Sequence, residues 1–415
     1  MQDAAAAIPV NALRVANYRV YAAGFLASSM SLQALNTAVM WDLYERTRDP
    51  MALGYTGLAR ALPVLLLALP AGHAADVFSR RRILVMTQIA FALIAAALAV
   101  SAWRGVPVWT VYVLLVCMGC ARAFNGPSRN ALLPLIVPIG TLQSAVTWNS
   151  NIFQAAAVGG PLLAGVIIDA AGGAWPVFAL AACGMGLFAL AASIVKPSPQ
   201  PRNDAGMSVE GLFAGASHLL RERTILGALA LDLFAVLLGG ATALLPIYAK
   251  DVLTVPAGLE GIALGALKAA PYLGALIVGL WLAHRPPFKR AGPTLLWSVA
   301  AFGVATIIFG LSRSFWVAMA ALVVAGGVDN VSVVIRHVLV QLRTPDHLRG
   351  RVGAVNAMFI ESSNELGAFE SGLVARLVSP VFSVVSGGIG TIVVVGAVAT
   401  WIPELRRLRE VEERK

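Results

Sequence analysis

Long apolar runs recur along this chain, and no other feature limits its fold so severely. A run of about 20 apolar residues crosses the hydrocarbon core only as a helix, because each backbone N–H and C=O must be satisfied without water. The runs fall at about 20–43, 52–75, 83–102, 108–133, 142–168, 175–195, 225–249, 261–283, 293–311, 316–342, 352–377 and 381–401. The expected architecture is all-α: a polytopic membrane protein of 12 transmembrane helices in two six-helix halves. Residues 196–222 are the longest polar stretch, rich at their start in Pro, Asn, Asp and Ser, and read as a central linker. They separate an N-terminal half, 1–195, from a C-terminal half with a charged tail, 223–415. Within the linker, 209–220 has apolar residues at helical spacing and is expected to lie along the membrane surface.

Charge decides the orientation. Only 13% of residues are charged, against roughly 25% in a soluble domain. The net charge of +10 suggests a nucleic-acid partner until its location is examined. Of the 31 Lys and Arg, six (Arg46, Arg48, Arg104, Lys250, Arg313 and Arg376) fall on one side of the helices. Five more (Arg60, Arg122, Arg129, Lys268 and Arg336) fall within helices, and the remainder sit in loops and tails on the other side. Lys and Arg are retained on the cytoplasmic face, so both termini are expected there, in the cell (inner) membrane. The basicity encodes topology, and no nucleic acid is expected. Residues 1–10 lack a charged start followed by an apolar core, so no cleaved signal peptide is expected. Cys117, Cys120 and Cys183 lie in apolar runs and read as packing residues.

The halves are repeats of each other. An offset of 207 carries Arg129 to Arg336, Leu132 to Leu339, Pro138 to Pro345, Gly160 to Gly367 and Gly165 to Gly372. An offset of 208 carries Arg60 to Lys268, Pro63 to Pro271, Arg81 to Lys289 and Arg82 to Arg290. A near-constant offset over four helices argues for duplication, as in transporters built from two related halves.

Three motifs carry a resemblance. The turn between the second and third runs holds Gly72, Asp76, Arg81 and Arg82 in the spacing Gly-x-x-x-Asp-x-x-x-x-Arg-Arg. It resembles the signature loop of the major facilitator superfamily, with Val77 standing where the family often has Arg or Lys and Ser79 where it usually has Gly. Arg122-Ala-Phe-Asn125-Gly126 resembles the Arg-x-x-Gln-Gly motif of proton-coupled members, with Asn for Gln. Gly159-Gly160-Pro161-Leu-Leu-Ala164-Gly165 resembles the Gly-Pro-x-x-Gly-Gly motif of antiporters, with Ala164 replacing one Gly. In layout the whole chain is similar to the branch of enterobactin and macrolide exporters. The resemblance implies the major facilitator fold and alternating access, with outward export of a small organic molecule coupled to inward proton flow. It assigns Asp76 and its arginines a role as conformational latch, and Gly160, Pro161 and Gly165 a role in helix packing.

Ionisable residues at membrane depth are functional candidates, each in need of a partner. They are Arg60, Arg122, Asp232, Lys268, Asp329, Arg336, Glu361, Glu365 and Glu370. Glu361 and Glu365 share a helix face, and two carboxylates one turn apart repel, so one of them is the expected proton carrier with Asp232 in reserve. Alternatively Glu361, Glu365 and Glu370 each pair with Arg336, Lys268 or Arg60 for packing. The superfamily resemblance puts Asp232, Asp329, Arg122 and Arg336 near the substrate pathway, since helices 1, 4, 7 and 10 line the cavity in that fold. Asp42, beside Trp41 and Tyr44, reads as interfacial. Phe124, Trp148, Phe153, Phe234 and Met358 are among the side chains available for an apolar substrate wall.

Other classes fit less well. The chain has no His-Glu-x-x-His, no Gly-x-Ser-x-Gly and no phosphate loop, so an enzyme is not expected. Five His without a His-rich tract weaken a bare-metal reading, and no cofactor or metal site is expected. Metal-chelate transport and lipid flipping remain as alternatives. The expected partners are a small-molecule substrate, protons and the lipid bilayer, with the protein a monomer.

Overall fold

The structure is a computed structural model. It describes residues 11–199, 217, 219, 222–239, 241–286, 288–345 and 348–409, without the side chains of Leu69, Asp76, Ile139, 349–351 and Ala354. The 209–220 segment expected to lie on the membrane surface falls almost wholly outside the described residues.

Six long helices precede the linker: α1 (Ala16–Thr47), α2 (Pro50–Val77), α3 (Arg80–Arg104), α4 (Trp109–Ile136), α5 (Leu142–Ala171) and α6 (Trp175–Ile194). After it come α7 (Arg223–Leu238), α8 (Glu260–Ala283), α9 (Ala291–Leu311), α10 (Phe315–Arg343), α11 (Arg349–Leu377) and α12 (Pro380–Trp401). Most begin or end a few residues beyond the apolar runs, because a helix continues through the interface where its backbone bonds still form. Among the described residues, ten helical segments are long and apolar enough to cross a membrane. The other two, α1 and α11, are equally long but more polar; α11 alone carries Glu361, Glu365 and Glu370. The protein is therefore an all-α polytopic membrane protein.

One helix departs from its expected course. The apolar run at 225–249 suggests a continuous helix, yet α7 stops at Leu238. A 3-10 turn (Ala241–Leu244), a short α segment (Leu245–Ile247) and a π turn (Tyr248–Val252) follow. Gly239 and Pro246 flank the interrupted stretch. A Cβ on Gly239 would stand 2.9 Å from the Phe302 ring, and Pro246 has no N–H to continue the ladder.

The chain separates into two compact units. One comprises 1–39 and 62–207, the other 40–61 and 208–415. The second unit thus takes the C-terminal end of α1 and the N-terminal part of α2, and an ion-pair network accounts for this. Arg48 lies 3.4 Å from Asp251, Arg376 lies 3.3 Å from Asp49, and Lys250 pairs with Glu45 while standing 3.7 Å over the Trp41 ring. Tyr44 hydrogen-bonds Asp251. Asp42, read as interfacial, pairs with Arg46 at 3.1 Å within α1.

Inside each unit the helices approach closely through small residues, as they must where lipid is as apolar as the helix faces. A Cβ on Gly160 of α5 would stand 2.6 Å from Gln33 Cβ and 2.8 Å from Met30 O on α1. Its repeat mate Gly367 on α11 does the same on α7, where a Cβ would stand 2.7 Å from Val236 O. Apolar side chains turn outward as well as inward: Trp297, Trp316 and Trp401 are each more than three-quarters exposed, the pattern for contact with lipid tails. Cys117 and Cys183 also face outward, not into the packing expected from sequence.

Candidate functional site

The C-terminal unit holds two groups of membrane-depth charges. The first joins α7 to α10. Arg336 and Asp232 form an ion pair, 3% and 7% exposed. Asp329 is in electrostatic contact with both. It lies on α10 seven residues before Arg336, and seven residues at 100° each return to the same helix face. The group is thus two carboxylates around one guanidinium. Nε of Arg336 has no hydrogen-bond partner among the described residues.

The second group joins α2, α8 and α11. Glu365 Oε2 lies 3.6 Å from Arg60, whose Nε also donates to Thr56 O at 3.2 Å. Lys268 is in electrostatic contact with Arg60 and Glu365 and reaches Met40 Sδ at 3.4 Å. Here two basic side chains surround one carboxylate. Of the two readings of Glu365, a repelling partner for Glu361 or an ion pair with a basic residue, the geometry shows the ion pair, with Arg60. Arg60, arriving from α2, pairs with Glu365, and the spacing of residues along α11 does not specify that partner. Glu361 stands one turn away, partly buried.

The N-terminal unit places its motif residues in structural contacts. Asn125 Nδ2 donates to Thr87 Oγ1 at 2.9 Å, tying α4 to α3. Arg122 is partly buried one turn earlier. In the turn between α2 and α3, Arg81 donates to Val195 O at 3.0 Å, beyond the end of α6. Arg80 donates to Ala131 O at 3.2 Å on α4. Both satisfy carbonyls near helix ends, where cations are favoured. Arg82 is exposed, Gly72 is partly buried inside α2, and the Asp76 side chain, on which the latch idea turns, lies outside the described residues. Gly160 sits at the α1–α5 contact, with Pro161 and Gly165 buried beside it.

Sequence reasoning passed over Arg129 except as a repeat marker. It lies on α4 with its guanidinium 5.1 Å above the Phe25 ring of α1, and no carboxylate pairs with it among the described residues. The missed signal was the repeat itself. The 207-residue offset that carries Arg129 to Arg336 also carries Phe25 to Asp232 and Arg122 to Asp329. Both acids of the C-terminal group therefore have no acidic counterpart.

These features define a transporter architecture: paired six-helix repeats with charged groups buried at membrane depth. The chain matches the family described as transmembrane secretion effector over residues 8–414 and belongs to it, within the major facilitator superfamily. It is 24% identical over 397 residues to the enterobactin exporter EntS of Citrobacter koseri, covering 94% of this chain and 92% of the relative. The EntS protein of Escherichia coli O1:K1 / APEC matches at the same identity and coverage. Among solved structures, the nucleoside transporter NupG superposes with a TM-score of 0.69 at 12% identity, covering 96% of this chain and all of that one. A bacterial homologue of the iron transporter ferroportin, in an inward-facing state, gives 0.65 at 16% identity, covering 94% and 99%. At such identities these structures speak to the fold alone. The family and its curated relatives are transporters, not enzymes.

Proposed function

We propose that the protein is a proton-coupled exporter of a small organic molecule (a siderophore, drug or macrolide-like compound) working by alternating access. The family and the exporters similar to this chain support transport and its outward direction. The observation that carries proton coupling is the group Asp232, Asp329 and Arg336. With both acids ionised it has one negative charge in excess, in a region where an uncompensated charge is costly. A proton balances that excess, and losing the proton unbalances it. A group whose charge is satisfied in one protonation state only can tie proton movement to a change in helix packing. Arg60 and Glu365 form a one-to-one ion pair and serve to hold α2 against α11. By the distribution of Lys and Arg, both termini and the Arg80–Arg82 turn face the cytoplasm.

The test is solute flux into inverted vesicles under an imposed pH gradient, run against a panel of siderophores, macrolides and dyes. Gradient-driven accumulation should vanish in Asp329→Asn and survive in Glu365→Gln. Loss in Glu365→Gln with Asp329→Asn unaffected would return the proton site to α11. A gradient that drives no solute in the panel would remove the export reading.

A further inference from the structure

Arg129 borders a cavity of about 520 Å³ between α1, α4 and α5, lined also by Phe25, Asn130, Asn149, Phe153 and Gln154. We propose that this cavity binds a planar aromatic anion, with Arg129 as its counter-charge. The proposal deepens the export reading by naming the class of solute, and rests on that reading only for what happens after binding.

Charge comes first. An arginine within a membrane-spanning helix calls for a partner, and among the described residues no carboxylate is paired with Arg129. Its repeat mate Arg336 has one, Asp232. At the position equivalent to Asp232 the N-terminal unit has Phe25, whose ring covers a face of the guanidinium and leaves the charge uncancelled. A ring over one face leaves the in-plane N–H edge available, and that edge matches a carboxylate with two parallel hydrogen bonds.

The rest of the lining sets the shape. Phe153 is 46% exposed and offers an aromatic wall. The side-chain amides of Asn130 and Gln154 make no hydrogen bond among the described residues, so they remain available to a polar solute. Asn149 is held in place by the Tyr18 hydroxyl, 2.9 Å from its Oδ1. The volume lies in the range of small-molecule sites, where an apolar wall and a few placed polar groups divide affinity from specificity. A cationic solute would meet like charge here, and a neutral one would leave Arg129 without a counter-charge.

Three ligands of one shape separate these cases: naphthoate, naphthylmethanol and naphthylmethylammonium, titrated calorimetrically against the full-length protein in zwitterionic nanodiscs. Naphthoate should bind on the order of tenfold or more tighter than the alcohol, from its charge-assisted bonds, and the ammonium should not bind measurably. Arg129→Gln should erase the preference, whereas Arg129→Lys, which keeps charge but loses the fork, should retain part of it. Equal binding of the alcohol or ammonium by the unmodified protein overturns the proposal, as does a preference that survives Arg129→Gln. Vesicles distinguish the two readings. Gradient-driven flux with no preference for anions sinks this inference and leaves export standing. Arg129-dependent naphthoate binding with no flux of any solute does the reverse.

Discussion

In the N-terminal unit Phe25 on α1 lies against Arg129 on α4; 207 residues later Asp232 on α7 pairs with Arg336 on α10. The backbone relation is kept closely enough that Gly160 and Gly367 make equivalent contacts on α1 and α7. The chemistry is reversed. In one unit the repeated arginine lies against an aromatic ring, and in the other it is surrounded by two acids. At offset 207, Phe25 and Arg122 stand where the C-terminal unit has Asp232 and Asp329. Under the functions proposed above, solute recognition falls to one unit and proton coupling to the other.

The strongest way to break the comparison is to strand the buried arginine. Asp232→Ala leaves Arg336 without its ion partner, and removing one member of a buried pair costs roughly 3–5 kcal/mol. A large fall in the thermal midpoint of the purified protein should follow. A fall no greater than that of an exposed-pair variant such as Asp251→Asn, where about 0–1 kcal/mol is at stake, would show that the pair is not structural.

Converting one unit toward the other should have the next largest effect. Phe25→Asp places beside Arg129 the carboxylate that Arg336 already has. Binding of naphthoate should drop on the order of tenfold or more, although Arg129 itself is untouched. Binding that is unchanged would mean that Phe25 does not govern the charge of that cavity.

The glycine contacts sharpen the likeness between the units. Alanine at Gly160 or Gly367 would place a methyl group within 2.8 Å of a neighbouring helix, an overpacking cost of about 1–3 kcal/mol. Gly126→Ala, where nothing lies within 4 Å, should be neutral or slightly stabilising. Matching losses at the two mates, read from thermal unfolding, would support equivalent frameworks; a loss at only one would show that the repeat has drifted there.

How much of this was legible beforehand follows from the range of each interaction. Helix positions depend on local hydropathy, and the apolar runs located them to within a few residues, apart from the break after Leu238, where Gly239 packs against the Phe302 ring of another helix. The repeat was visible because Arg129, Gly160 and Gly165 recur at one offset. The choice among charge partners was not. Spacing along α11 brought Glu361 and Glu365 to one face, but Arg60 reaches Glu365 from a helix some 300 residues earlier in the chain. Asp232 was recognised as a membrane acid without its partner, since the pairing needs α7 against α10. Arg129 was seen only as a marker of the repeat, because a cavity shared by three helices leaves no trace in the sequence of any one of them.

Proton coupling is proposed to run through Asp329, the acid in excess around Arg336. Proteoliposomes holding a pH-sensitive dye and a transported solute would report both movements together. In the unmodified protein, solute gradients should move protons and pH gradients should move solute. In Asp329→Asn, solute exchange at equal pH should persist, while proton movement and gradient-driven accumulation should both be lost. If Asp329→Asn still concentrates solute against its gradient with the same proton flux as the unmodified protein, the coupling site is elsewhere.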